Sequence, residues 1–67
     1  MRGRVVEFDE HVGTGAVEGE DGARLVFHCV AIANGSRRID VGADVTYDVV
    51  PGRLGQWEAW AIKRSGA

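Results

Sequence analysis

Sixty-seven residues allow one small domain near the lower limit of what folds without covalent staples, and the single cysteine, Cys29, excludes an internal disulfide. No apolar run approaches the roughly 20 residues that span a bilayer, and the opening "MRGRVVEFDE" lacks the hydrophobic stretch of a secretory leader, so a soluble, cytoplasmic protein with no membrane partner is expected. The formal net charge of −2 gives no bulk attraction for nucleic acid, but it is unevenly spread: residues 1–23 carry six carboxylates against Arg2 and Arg4, whereas residues 24–67 carry six basic side chains against four acidic ones.

The apolar pattern comes in short pieces broken by Gly, Asp, Asn or Pro, which predicts a small all-β domain without a helix of three turns. Strands are expected at Arg2–Phe8, Gly15–Gly19, Arg24–Cys29, Asp44–Val50 and Trp57–Lys63. Between the first two lies "HVGTG", whose glycines Gly13 and Gly15 suit a strand coiling at a barrel corner, where a missing Cβ permits tight curvature. "EDG" at Glu20–Gly22 predicts a tight turn, and "PG" at Pro51–Gly52 another, proline presetting φ and glycine accepting positive φ. The one long connection, Val30–Gly42, has room for a single helical turn at Ala31–Ala33. In "VTYDVV", Val45, Tyr47 and Val49 alternate onto one face. Closing five such strands into a barrel removes exposed edges, with a core of Val5, Val17, Phe27, Ile32, Val45, Tyr47, Val49, Ala59 and Ile62.

In order and spacing these pieces resemble a cold-shock domain, the small five-stranded antiparallel OB-type barrel that binds single-stranded nucleic acid. "GRVVEFD" is similar to that family's G-x-V-K-W-F-N, "VGTGAV" to K-G-F-G-F-I, "LVFHCVAI" to V-F-V-H-F-S-A-I, and "VGADVTY" to E-G-x-x-V-x-F. "GRLGQWEAWAI" resembles G-x-x-G-P-x-A-x-N-V with about one extra residue. The resemblance implies a platform of outward aromatics on the first three strands on which bases stack. Position by position, the platform lysine is Val6 here, the tryptophan Glu7, the glycine-strand phenylalanines Thr14 and Ala16, and the third-strand phenylalanines Val26 and Cys29. Phe8 and His28 survive, expected side by side and outward. Stacking contributes roughly 1–3 kcal/mol per base, so the lost aromatics correspond to about a thousandfold or more in affinity, and Glu7 adds repulsion. Weak or altered binding of single-stranded nucleic acid is the expectation.

Trp57 and Trp60 lie outside the family pattern. Alternation puts them on opposite faces, leaving one as a substitute stacking surface. Phosphate contacts would come from Arg37 and Arg38 in the long loop and from Lys63, with Arg53 and Arg64 nearby. A second reading turns the former platform, with Val6, Phe8, Ala16, Val26 and Cys29, into an apolar face for a protein partner or a homodimer. Other chemistries are disfavoured. His28 and Cys29 are adjacent in a strand and so diverge, which argues against a metal site with His11 and against a Cys–His nucleophile. "GTGAVEG" lacks the helix and lysine of a phosphate loop. No catalytic residue and no cofactor is assigned.

Overall fold

Alternating short apolar and polar residues form five strands in the computed structural model, which describes residues 1–33, 38–52 and 55–65. They are β1 (Arg2–Asp9), β2 (Thr14–Gly19), β3 (Arg24–His28), β4 (Asp44–Pro51) and β5 (Trp57–Arg64), each within one residue of its predicted limits. The strands close into a barrel in the order β1-β2-β3-β5-β4. All seams are antiparallel except β3–β5, which is parallel and pairs Val26 with Glu58. The helical turn is a 3-10 turn at Cys29–Ala31, two residues earlier than expected. The cause lies in its flanks: the Cys29 N–H donates to the Gly13 carbonyl at 2.8 Å, and Ala33 already donates to the Ile62 carbonyl at 2.9 Å.

Eight of the nine expected core residues are buried, joined by Ala16 and Ala31. Phe27, Ile62, Val5, Val17 and Val45 are the largest fully buried side chains, each contributing about 1.5–3 kcal/mol through removal from water. Val49 is the exception, 39% exposed. β1 pairs with β4 only at Asp44–Thr46, so beyond Tyr47 the strand runs past the barrel wall with β5 beside it, which leaves Val49 partly open. Ala59 and Ile62 both reach the core although they are three residues apart, because β5 carries a bulge. Thr46 faces Lys63 and Asp48 faces Trp60, which leaves one extra residue on β5, and Ala61 takes it up at φ +53°. A second register shift lies in β1 between Val5 and Glu7.

The glycines of "HVGTG" have separate jobs. Gly13 adopts φ +81° in the β1–β2 turn, where the Asp9 carboxylate accepts from the N–H groups of His11 (2.9 Å) and Val12 (3.2 Å). Gly15 sits between Phe8 and Phe27 in the ladder, and those two rings stack with centroids 6.0 Å apart and planes 8° from parallel. A Cβ on Gly15 would lie 2.8 Å from the Phe27 ring and 2.5 Å from the Glu7 carbonyl oxygen. The expected turn at Pro51–Gly52 is displaced as well. Pro51 ends β4 opposite Trp57, Gly52 donates to the Gln56 carbonyl at 2.6 Å, and the positive φ belongs to Gly55. Gly22 takes the positive φ expected of "EDG".

Two measurements check this packing. Gly15→Ala is expected to destabilise the fold by about 1–3 kcal/mol through overpacking, lowering Tm by about 4–8 °C per kcal/mol for a domain of this size; thermal unfolding followed by circular dichroism reads it. Tyr47, the one tyrosine, is buried, and desolvation, then the charges of Asp21 and Glu20, raise its phenol pKa above 10.0. A folded-state pKa above the unfolded one favours the neutral phenol, so this contribution is complete below pH 10 and is lost as pH rises through the folded pKa. Absorbance at 295 nm is expected to show a midpoint above 10.0 in the native protein, and Tyr47→Phe to flatten the alkaline loss of stability.

Candidate nucleic-acid interface

Strand alternation assigns the outer face of the barrel. Across β1, β2, β3 and β5 one rung is Glu7–Ala16–Val26–Glu58, and the next carries Asp9, Thr14 and His28. Because β3 and β5 run parallel, two residues on from Val26 and Glu58 the same face carries His28 and Trp60. His28 is exposed, Val26 is 48% exposed and Trp60, opposite Asp48, is 46% exposed. His28 also lines a shallow cleft with Pro51, Gly52 and Glu58. Trp57, opposite Pro51, lies on the other face of β5 with Ala59 and is 59% exposed. The two tryptophans therefore do point to opposite sides, and neither enters the core.

Phe8 is not on this face. It is half-buried, packed against the core and stacked on Phe27, because the β1 irregularity puts it in the inward rung with Gly15 rather than beside His28. The proposed apolar face of Val6, Phe8, Ala16, Val26 and Cys29 does not assemble either. Val6, half-buried at the β1 irregularity, lines a cleft with Arg2, Arg4, Glu18 and Glu20. Cys29 opens the 3-10 turn and packs against the core. Of these only Ala16 and Val26 pair in the ladder, and the apolar surface they leave is that of Val26, since Ala16 is 2% exposed.

A charge pair occupies the middle of the face. Arg24 Nη2 donates to Glu7 Oε2 at 3.0 Å, bridging from β3 to β1 across β2 beside Ala16. With Glu7, Asp9, Glu58 and Asp48 around it and Arg24 committed to Glu7, this surface has no net attraction for phosphate. Cations gather elsewhere. Arg38, Lys63 and Arg64 line a second cleft with Asp40 over Ile32, Ile39 and Ile62. There Arg38 pairs with Glu10 at 2.7 Å and Arg64 with Asp40 at 3.1 Å. Lys63 has no carboxylate partner among the described residues. Arg37 and Arg53 lie outside the described residues. Arg24 is the residue that sequence reasoning missed; its place three residues before Phe27 on a predicted strand was visible, but its reach across β2 to Glu7 was not.

A closed five-stranded barrel in the order β1-β2-β3-β5-β4, with a long connection between the third and fourth strands, defines an OB-type barrel. The sequence is 36% identical over 64 residues to the cold shock-like protein CspC of Bacillus cereus, covering 94% of this chain and 98% of that protein; the CspC of a named B. cereus strain matches to the same extent. The chain belongs to the cold-shock protein family. No family model matches it. Among the described residues no helix is long and apolar enough to cross a membrane.

The exposure of both indoles has a direct optical consequence. Native tryptophan emission is expected close to that of free indole in water and to shift little on denaturation, while circular dichroism reports a full unfolding transition. A large red shift on unfolding would show that one indole is buried.

Proposed function

We propose that this protein binds single-stranded nucleic acid weakly, stacking bases on His28 and Trp60 instead of on a full aromatic platform. The observation that carries this reading is the outer face itself. Ala16 and Val26 form a low floor there, and the exposed aromatic groups beyond it, His28 and Trp60, come from two parallel strands and point the same way. Membership of the cold-shock family supports the class of ligand. Trp60 stands outside the family pattern, so base contact has moved around the barrel, from β2 towards the β3–β5 seam. Phe8 supports this surface from within through its stack on Phe27. Phosphates are met by Arg38, Lys63 and Arg64 in the second cleft, and Arg37 of the same loop belongs to this proposal too.

The acidic residues on the face set the expected strength. The described cleft offers about three phosphate contacts, which contribute about −2 to the slope of log affinity against log salt on a single strand. Titration with mixed-sequence single-stranded DNA and RNA at low salt, followed by amide shifts, tests the reading. Saturable shifts at His28 and Trp60 are expected. Trp60→Ala should weaken binding by about 5- to 150-fold, the equivalent of one stacked base, and Trp57→Ala, on the opposite face, by less than about twofold. Absence of shifts at millimolar ligand would overturn it.

A further inference from the structure

The Glu7–Arg24 pair lies beside the Ala16–Val26 floor of the proposed face. Both side chains are largely exposed, 66% for Glu7 and 56% for Arg24, at a separation of 3.0 Å, so the bond is solvent-screened and easily given up. It nevertheless does two things. It keeps Arg24, which shares its outward rung with Glu18 and Arg4, engaged with a carboxylate. It also crosses β2 where Ala16, although outward-facing, is 2% exposed. Opening the pair would free a guanidinium on the same face as Val26 and His28.

We infer that Arg24 is a phosphate ligand held in reserve by Glu7, and that binding of a single strand exchanges the Glu7 carboxylate for a backbone phosphate on Arg24. This rests on the nucleic-acid reading above and deepens it by naming the residue that limits affinity. The chemistry is an exchange of anions on one guanidinium, whose planar fork suits phosphate as well as carboxylate. Glu7 then acts as an internal competitor, and its influence on affinity must pass through Arg24. A carboxylate that merely repelled phosphate at a distance would act whether or not Arg24 were present.

A double-mutant cycle separates these cases. Binding of mixed-sequence single-stranded DNA is measured for the wild type, Glu7→Gln, Arg24→Gln and the double variant at several salt concentrations. Amide spectra establish that each variant is folded, as expected for exposed side chains. Glu7→Gln is expected to tighten binding by about three- to fivefold, and the same change in the Arg24→Gln background by less than about twofold. Arg24→Gln alone should make the salt slope shallower by about 0.7, one phosphate contact on a single strand, and Arg24→Lys should restore it. Glu20→Gln, an equal charge change in the β2–β3 turn, should alter affinity by less than about twofold. An equal gain from Glu7→Gln with and without Arg24 would overturn the exchange while leaving the nucleic-acid reading intact. Failure of all the proteins to bind at low salt would overturn that reading, and the exchange with it.

Discussion

Phe8 and Phe27 stack across a glycine, and the barrel is organised around that contact. Three strands meet there in the ladder Phe8–Gly15–Phe27. The missing Cβ lets rings from β1 and β3 approach each other over β2, giving the core a ring-on-ring contact beside Tyr47 and its aliphatic residues. Offset-stacked rings contribute about 0.5–1.5 kcal/mol beyond the area they bury, a useful fraction of the few kcal/mol that hold a domain of this size together. The same arrangement explains why Phe8 is withdrawn from the outer face: a ring committed to the inner side cannot also offer its flat surface to a base.

Fold and site were legible in the sequence to different degrees, for physical reasons. Strand limits followed from turn residues and period-2 alternation, which are local, and all five strands appear within a residue of expectation. Two errors came where alternation or strand reach was interrupted. Placing Phe8 outward and Val49 inward assumed unbroken strands of equal reach, whereas β1 shifts register near Val6 and β4 outruns its neighbour β1. Ala59 and Ile62 were both correctly assigned to the core, an odd spacing that only a bulge reconciles. The Glu7–Arg24 pair was hidden for a different reason. It joins residues 17 apart in the chain through a register that no local pattern encodes.

The electrostatics of the surface divide the molecule. On the outer face of β1–β3 an arginine is neutralised by a glutamate, and further carboxylates line the way to Trp60. At the far end of β5, Lys63 and Arg64 join Arg38 over isoleucines. Under the proposed reading, a polyanion would meet carboxylates in the middle of the old platform and cations at its margin. Contacts at such a margin would orient a strand without reading its bases, leaving discrimination among sequences to the few aromatic groups on the face. A family frame has thus been kept while the distribution of charge and ring surface upon it has been rewritten.

The bulge at Ala61 has a consequence for how this chain can change over time. A left-handed backbone conformation is disfavoured for residues with a Cβ, by roughly 1–2 kcal/mol, yet position 61 must adopt it if the last strand is to turn the corner of the barrel. Glycine and asparagine are the inexpensive choices there, alanine bears the cost, and branched side chains are effectively barred. A position restricted in this way is expected to vary little in descendants whatever they bind. Its constancy would record the shape of the barrel, while the indole beside it, at position 60, remains open to replacement by selection on the ligand.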